Sequence, residues 1–288
     1  MTGGWLTRLD PPPDVFAVVM ATGIVSVAAY DHHYWRLGIA LSILAVVAFV
    51  VLVLGVLGWV ATRFRHVTAL MRDPDVALRM FTFVAACAVL GVRWNGHPVA
   101  AWLLGGIALM AWLGLAPLAV VDVGSRPVAN LRAHAHGAWL LPSVATAGLA
   151  ATSANLAVHV HARALVTTAT VAWLLGMVLY LAVTWLIAWR ALAAKFVPEE
   201  VTPDSWILMG ALAIITLSGA HLITAAPLAD PARWIMDVIK PVTLGTWIVA
   251  SLWIPLLLYA EVWRVDQRAG SLRFAGVWWS AVFPLGMY

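Results

Sequence analysis

The sequence has little charge and almost no cysteine. Charged residues make up 10% of the 288 positions, whereas a soluble domain carries about 25%, so an ordinary soluble domain is excluded. The single cysteine, Cys87, excludes an intrachain disulfide and any multi-cysteine metal site. The net charge of +4 is attributed to arginines that flank apolar segments, and not to a nucleic-acid-binding surface.

Apolar runs occupy most of the chain. Hydrophobic residues make up 63% of it, and its mean hydropathy is +0.93. The charge-free runs have the length of membrane-spanning helices, and they lack the alternation of short barrel strands. No cleavable signal is expected, because the first apolar run anchors the chain. The composition therefore predicts an all-α integral membrane protein.

The apolar runs predict one transmembrane domain over residues 1–288 with nine spans. Short turns join spans 1–2, 3–4, 5–6 and 7–8, and longer polar loops join these pairs, so the repeated unit is a helical hairpin. The predicted spans are residues 15–30, 37–62, 78–95, 99–121, 137–157, 164–189, 206–226, 241–260 and 274–288.

The basic residues predict how the chain is oriented. Twelve of the 17 lysines and arginines fall at the chain's amino terminus or in the loops on that side of the membrane. They are Arg8, Arg63, Arg65, Arg72, Arg79, Arg126, Arg132, Arg190, Lys195, Arg264, Arg268 and Arg273. Because basic loops remain in the cytoplasm, we expect a multi-pass protein of the cell membrane with a cytoplasmic amino terminus.

The odd-numbered and even-numbered spans differ in composition. Gly, Ala, Ser and Thr are more frequent in the odd spans, and large aliphatic residues are more frequent in the even ones. Small residues let helix backbones approach closely or leave room for a lumen, so the odd spans are predicted to lie inside. They also hold helix-disrupting pairs, namely Thr22-Gly23, Pro142-Ser143, Ser218-Gly219 and Phe283-Pro284. A central canal lined by bent helices would use these features together.

The last span holds a candidate gate. Proline removes a backbone donor and bends a helix, so Pro284 predicts a distorted turn beside Phe283. A bulky ring at such a turn can point into a space that the other helices enclose, where it would block a narrow lumen by steric exclusion and dewetting. The alternative is ordinary packing of Phe283 beside a kink.

Six ordered motifs resemble one known family. They are VFAVVMATGIVS, FTFVAACAVLGVR, GAWLLPSVATAG, TPDSWILMGALAIITLSGAHL, IPLLLYAEVWR and WWSAVFPLGMY. Together they resemble the tellurite-resistance/dicarboxylate transporter family, which includes fungal malate carriers and the slow-type anion channels of plant guard cells. The resemblance runs from about Pro13 to the last residue.

The resemblance implies a fold, an assembly and a gate. It implies helical hairpins in a pseudo-fivefold ring, with odd helices lining a central pore, assembled as homotrimers. It places the occluding phenylalanine at Phe283, with Phe81 and Phe83 as the ring neighbours between which the sequence does not choose. The other candidate lining residues on the odd spans are Gly23, Pro142, Thr146, Ala213 and Pro284.

The resemblance also implies ten helices, whereas nine spans are predicted here. The tenth span is missing from this sequence, and a missing carboxy-terminal piece is favoured over a natural short form. The long cytoplasmic tails of the plant channels are missing too, so phosphorylation control of that kind is not implied.

Histidines are the remaining candidates for chemistry. His221 lies inside a span that is otherwise free of charge, and an intramembrane ionisable group is a functional candidate that could couple proton movement to transport. The alternative is a hydrogen-bonded histidine near the membrane interface. The pairs His32/His33, His134/His136 and His159/His161 lie at predicted span ends without a carboxylate at ligand spacing. We interpret them as interfacial, and we expect no metal and no cofactor.

These features predict transport and not catalysis. The leading hypothesis is a channel or carrier for small anions, with the family implying C4-dicarboxylates such as malate and chloride or nitrate as inorganic alternatives. The first alternative is proton-coupled dicarboxylate uptake. An intramembrane enzyme that uses the histidine pairs is the alternative from another class, and it is weakened because those pairs alternate between the two sides of the membrane. The expected partners are small anions, the lipid bilayer and further copies of the chain.

Overall fold

A computed structural model describes residues 11–71, 73–94, 96–193, 201–228, 232–267 and 276–288. All regular structure in these ranges is helical. Arg8, Arg72, Lys195, Arg268 and Arg273, which contributed to the predicted orientation, lie outside the described residues, as do the first two residues of the ninth predicted span. The prediction of an all-α integral membrane protein is confirmed.

The described residues form eleven α-helices and several short 3-10 turns. The helices are α1 (Ala17–Asp31), α2 (Trp35–Leu70), α3 (Pro74–Arg79), α4 (Phe81–Arg93), α5 (Pro98–Gly124), α6 (Val128–His134), α7 (Leu141–Val160), α8 (Arg163–Ala193), α9 (Ile207–Ala225), α10 (Ala232–Gln267) and α11 (Trp279–Gly286). The 3-10 turns Gly137–Leu140, Pro203–Trp206 and Gly276–Trp278 lead directly into α7, α9 and α11. A fourth 3-10 turn, Ala226–Leu228, follows α9.

Helix ends follow local sequence signals. Pro98 and Pro203 occupy first helical positions, where a missing backbone N–H leaves no hydrogen bond unmade. At the other end, His161 closes α7 in the left-handed conformation with φ of 50°, which is a common way for a helix to stop. His33, in the turn after α1, also has a positive φ of 65°. Two of the predicted interfacial histidine pairs therefore mark helix ends.

Burial divides the long helices into inner and outer members. Of the most apolar window of each helix, 67% is buried in Asp75–Arg93, 78% in Gly137–Val160 and 67% in Pro203–Leu228. The corresponding share is 11% in α2, 17% in α5 and α8, and 22% in Asp237–Gln267 of α10. The prediction that odd spans lie inside and even spans outside is therefore confirmed. The exposed outer faces carry large aliphatic and aromatic side chains, as a lipid-facing surface requires.

The inner helices contact one another in a closed cycle. Helix α1 contacts α4, α4 contacts α7, α7 contacts α9, α9 contacts α11, and α11 returns to α1. Each outer helix packs on the inner helix that precedes it along the chain, so α2 covers α1, α5 covers α4, α8 covers α7 and α10 covers α9. Four helical hairpins and α11 thus form a five-membered ring.

Small polar side chains connect neighbouring helices inside this bundle. Ser143 Oγ donates to the Gly176 carbonyl at 2.8 Å and Ser218 Oγ donates to the Ala147 carbonyl at 2.6 Å. Trp173 Nε1 on α8 donates to the Ile215 carbonyl of α9 at 2.9 Å. Hydrogen bonds between apolar helices contribute about 0.6 kcal/mol each on average, so they fix the register of the helices more than they determine total stability.

Two expectations about the helices were wrong, one about where a helix ends and one about where a helix bends. The basic stretch after the second predicted span is helical, because α2 continues to Leu70, with one non-helical residue, Arg63, inside it. Pro142 does not bend an inner helix, since it lies in the first turn of α7, where a proline leaves the hydrogen bonding intact. Pro284, in contrast, lies inside α11.

Candidate functional site

All five inner helices begin at the same end of the ring. The turn before α7 contacts both α3, which precedes α4, and the turn before α9, and α11 contacts Pro203–Trp206. Asp14, just before α1, lies 3.9 Å from Arg79 at the start of α4. We call this end of the bundle the N-face and the opposite end the C-face. Because the partial positive charge of a helix lies at its amino terminus, the N-face collects five such termini around one axis.

Phe283 lies on the shortest inner helix and is fully buried. Its side chain is 0% exposed within α11. Two glycines allow α11 to approach its neighbours closely. A Cβ at Gly210 of α9 would meet Pro284 Cγ at 2.7 Å, and a Cβ at Gly286 would meet Ile24 Cγ2 of α1 at 2.9 Å. The helix that carries Phe283 is therefore held directly between α1 and α9.

The two candidate neighbours of Phe283 lie in different surroundings. Phe83 packs its ring against Phe16 and Phe49, with centroids 5.0 Å and 5.8 Å away, and Phe49 belongs to the outer helix α2. Phe83 also borders an apolar cavity of about 710 Å³ that is lined by α2, α4, α5 and the residues before α1. Phe81, in contrast, is 1% exposed at the start of the inner helix α4.

The other predicted lining residues lie on inner helices, in varied surroundings. Gly23 faces α4, because a Cβ there would meet Val89 Cγ1 at 2.9 Å. Thr146 faces α5, since Trp112 Nε1 donates to its hydroxyl at 2.8 Å. Ala213 is buried on α9. The role of Gly23, Thr146 and Ala213 in a lining stays a prediction.

A cluster of charged side chains at the N-face was not predicted. His136 lies between two carboxylates, with Nδ1 at 2.6 Å from Asp204 Oδ2 and Nε2 at 2.6 Å from Asp75 Oδ1. Asp204 is 4% exposed and also accepts the Ala138 N–H at 2.9 Å. The other oxygen of Asp75 pairs with Arg79 Nε at 3.2 Å. We call Asp75, His136 and Asp204 the N-face triad.

The triad connects the first turns of three inner helices. Asp75 belongs to α3, which leads into α4, His136 caps the turn before α7, and Asp204 belongs to the turn before α9. Trp139 Nε1 adds a hydrogen bond to Asp75 Oδ1 at 3.3 Å. Burial alone lowers the pKa of the His136 imidazole from its ordinary 6.5, but its hydrogen bonds to the two carboxylates outweigh burial and raise the pKa to about 9. His136 is therefore a cation at neutral pH.

At the C-face, Arg93 connects the ends of α1 and α4. Its Nε donates to Ser26 Oγ at 2.9 Å, and Ser26 Oγ donates to the Gly38 carbonyl at 2.8 Å. The Arg93 guanidinium also lies over the Tyr30 ring, 4.5 Å from its centroid. His221 lies farther along α9, where its Nε2 is buried and has no hydrogen-bond partner within the described ranges.

No group of three or more His, Cys, Asp or Glu side chains among the described residues has the arrangement of a metal site. The histidine pair His134/His136 also divides. His134 Nδ1 lies 2.9 Å from the Asn130 carbonyl on the exposed helix α6, and only His136 joins the triad. Sequence spacing could not predict this, because Asp75 and Asp204 lie 61 and 68 residues from His136.

Comparison with known proteins gives one family. A family model described as SLAC1, voltage-dependent anion channel, matches residues 11–288. An uncharacterized membrane protein of Mycobacterium tuberculosis is 37% identical over 112 residues, which are 39% of this chain and 56% of that protein. The match therefore spans little more than half of that relative's length.

Two archaeal relatives match over most of the chain. An uncharacterized transporter of Methanocaldococcus jannaschii is 23% identical over 291 residues, covering 96% of this chain and 81% of that protein. A second uncharacterized transporter of the same organism is 22% identical over 95% of this chain and 81% of its own length.

Proposed function

The chain belongs to the SLAC1 family of voltage-dependent anion channels, and from that premise we propose that it carries small anions along the axis of its inner-helix ring, with Phe283 as the gate. The family's members are channels or transporters and not enzymes. The observation that carries the proposal is the closed cycle of α1, α4, α7, α9 and α11, which has a fully buried Phe283 on its shortest member.

The electrostatics of the inner helices suit weak anion binding. No Asp, Glu, Lys or Arg occurs in residues 17–30, 81–92, 141–160, 207–225 or 279–286. A permeating anion would therefore meet peptide N–H groups and helix dipoles in place of a fixed cation. Conduction requires binding that is weak enough to release the ion, and this arrangement provides such binding.

We assign the aromatic partner of Phe283 to Phe81. Phe83 is occupied by its contacts with Phe16 and Phe49 on the outer side of α4, whereas Phe81 is buried on an inner helix. Two aromatic rings from different inner helices can close a narrow lumen, and rotation of Phe283 about χ1 would open it. The substrates that we propose are C4-dicarboxylates of the malate type, chloride and nitrate.

The proposal extends to assembly and location. The outer helices expose many large apolar side chains, which must face either lipid or another copy of the chain. We propose a homotrimer in the cell membrane with the N-face in the cytoplasm, where the predicted excess of basic residues lies.

A second candidate function is proton-coupled uptake of dicarboxylates. Its motivation is the half-buried His221, whose Nε2 is buried and lacks a hydrogen-bond partner among the described residues. An intramembrane ionisable group of this kind can accept and release a proton during a transport cycle. An imposed proton gradient tests it, because uptake by the unsubstituted protein should follow the gradient and uptake by His221→Asn should not.

The test of the gate is anion flux through liposomes that contain the purified full chain. Phe283→Ala should raise chloride, nitrate or malate flux roughly tenfold or more, since removing about 1.4 kcal/mol from a barrier raises a rate tenfold. Phe283→Leu keeps the bulk and should stay closed. Phe64→Ala is the matched control, because Phe64 is 65% exposed on the outer helix α2. Flux through Phe283→Ala equal to that of the unsubstituted protein would overturn the gate.

A further inference from the structure

We propose that protonated His136 is a positioning residue for anion permeation, because it holds Asp75 and Asp204 together and thereby fixes the N-face turns of α4, α7 and α9. The inference rests on the proposed anion pathway. It adds a residue that acts at the N-face, where the inner helices begin.

The triad reaches the gate helix through one turn. Pro203–Trp206 carries Asp204 and contacts both α11 and the turn that precedes it. One helical turn farther along α9, Gly210 lies against Pro284, the residue next to Phe283. A displacement of Asp204 would therefore move the surface on which α11 rests. In this way the triad positions Phe283 without touching it.

The turns before α7 and α9 approach each other backbone to backbone beside His136. A Cβ on Gly137, next to His136, would meet the Asp204 carbonyl carbon at 2.5 Å and the Ser205 nitrogen at 2.9 Å. At this separation the carboxylates of Asp75 and Asp204 lie close together on either side of one imidazole ring. A cation that hydrogen-bonds to both carboxylates offsets their mutual repulsion.

Several other charged groups surround the triad, but His136 is the one that hydrogen-bonds to both carboxylates. Arg79 forms ion pairs with both Asp75 and Asp14. Asp73 caps the amino terminus of α3, the helix that carries Asp75. Asp73, Arg126 and His134 line a cavity of about 390 Å³ that His136 also borders, and Arg190 of α8 donates to the Ala135 carbonyl at 2.9 Å. Among the described residues, only His136 hydrogen-bonds to both Asp75 and Asp204. Loss of its proton would make the net charge at the N-face one unit more negative and would disfavour the entry of an anion.

The sign of the pH dependence follows from the raised pKa. Because the pKa of His136 is about 9 in the folded protein and 6.5 ordinarily, the triad's contribution is fully present below about pH 6.5. It is lost as the pH rises through about 9. Anion flux should therefore be constant near neutral pH and fall by about tenfold as the pH rises through about 9, to the level of a protein that lacks the imidazolium.

The experiment measures chloride or nitrate flux in liposomes that hold the full chain, with equal pH on both sides, between pH 6 and 10.5. The unsubstituted protein should show the alkaline decline. His136→Asn should have roughly tenfold lower flux at pH 7 and no decline centred near pH 9. Asp75→Asn removes one of the two carboxylates that favour the imidazolium, so its midpoint should move down by about one pH unit or more. A merely structural role for Asp75 would not move this midpoint.

The matched control is His134→Asn, which replaces the other histidine of the pair and should keep the unsubstituted profile. If His136→Asn does not fold, as judged by size-exclusion chromatography, the midpoint of Asp75→Asn decides the question. A flat profile for the unsubstituted protein, or the same midpoint in Asp75→Asn, overturns the role of His136. Absence of any flux at pH 7 would instead overturn the proposed anion pathway, so the two failures are distinguishable.

Discussion

Gly137 lies where two inner-helix turns touch backbone to backbone. A Cβ there would meet the Ser205 nitrogen at 2.9 Å and would overlap the Asp204 carbonyl. Backbone atoms cannot move aside as a flexible side chain can, so Gly137→Ala should separate the turns that the N-face triad connects. We expect it to destabilise the protein by about 1–3 kcal/mol, the usual cost of overpacking, measured as thermal unfolding in detergent.

Gly106→Ala is the matched control for this prediction. Gly106 lies on the exposed face of α5, and nothing lies within 4 Å of a Cβ at that position. Alanine is the better helix former by about 1 kcal/mol, so Gly106→Ala should leave stability unchanged or raise it slightly. Equal unfolding temperatures for the two variants would show that the Gly137 contact is looser than its geometry indicates.

At the scale of single residues, the sequence predicted where polar groups lie better than what they contact. His134 and His136 were both expected at the membrane interface, and both lie at the N-face end of α7. The role of His136 could not be predicted, because its partners Asp75 and Asp204 come from other helices. A carboxylate brought close by folding leaves no local spacing to detect. Each aspartate does directly follow a proline that starts a helical turn, Pro74 or Pro203, which is the one local signal available.

Small residues on the inner helices serve close packing at the positions where a contact is defined. Gly148 lies against Ala88 of α4, since a Cβ there would meet the Ala88 Cβ at 2.8 Å. Gly176 of the outer helix α8 lies against Ala147 and Ser143. The composition allowed either close approach or a lumen. At these positions the small residues permit close approach between neighbouring helices. Whether the ring also encloses a lumen is what the flux experiment tests.

The contact between α9 and α10 allows a test of close packing in which a second substitution should reverse the effect of the first. A Cβ at Gly219 would overlap the Thr243 hydroxyl and meet Thr243 Cγ2 at 3.0 Å. Because threonine is branched at Cβ, rotation cannot remove both of its γ atoms. Gly219→Ala should therefore destabilise the protein by about 1–3 kcal/mol. Thr243→Ala should be nearly neutral, since its buried hydroxyl has no hydrogen-bond partner among the described residues.

The double variant Gly219→Ala/Thr243→Ala should recover most of the lost stability. A coupling free energy of about 1 kcal/mol or more in this cycle would locate the clash between these two residues. Gly245→Ala on α10 is the control, because nothing lies within 4 Å of its Cβ position. Additive effects of the two substitutions would place the contact between α9 and α10 elsewhere.

At the scale of the whole molecule, composition predicted the architecture better than any single motif did. The excess of small residues in odd spans and of aliphatic residues in even spans corresponds to burial of 67–78% in α4, α7 and α9 with their preceding turns, against 11–22% in the outer helices. Because lipid tails are as apolar as leucine, burying an apolar side chain gains little in a membrane, so the inner and outer helices differ in residue size and not in hydrophobicity. The lengths of α2 and α10 could not be predicted, because both helices continue past the apolar runs into charged segments.

The orientation of the molecule in the membrane can be tested because the chain has almost no cysteine. Its single cysteine, Cys87, is buried, so a cysteine introduced on either face would supply nearly all labelling by a membrane-impermeant maleimide. Ser125, exposed after α5, lies at the N-face, and Gly96, exposed before α5, lies at the C-face. In intact cells Gly96→Cys should be labelled, and Ser125→Cys should be labelled only after permeabilisation. The reverse pattern would place the His136 triad outside the cell, where its protonation would follow the external pH in place of the cytoplasmic pH.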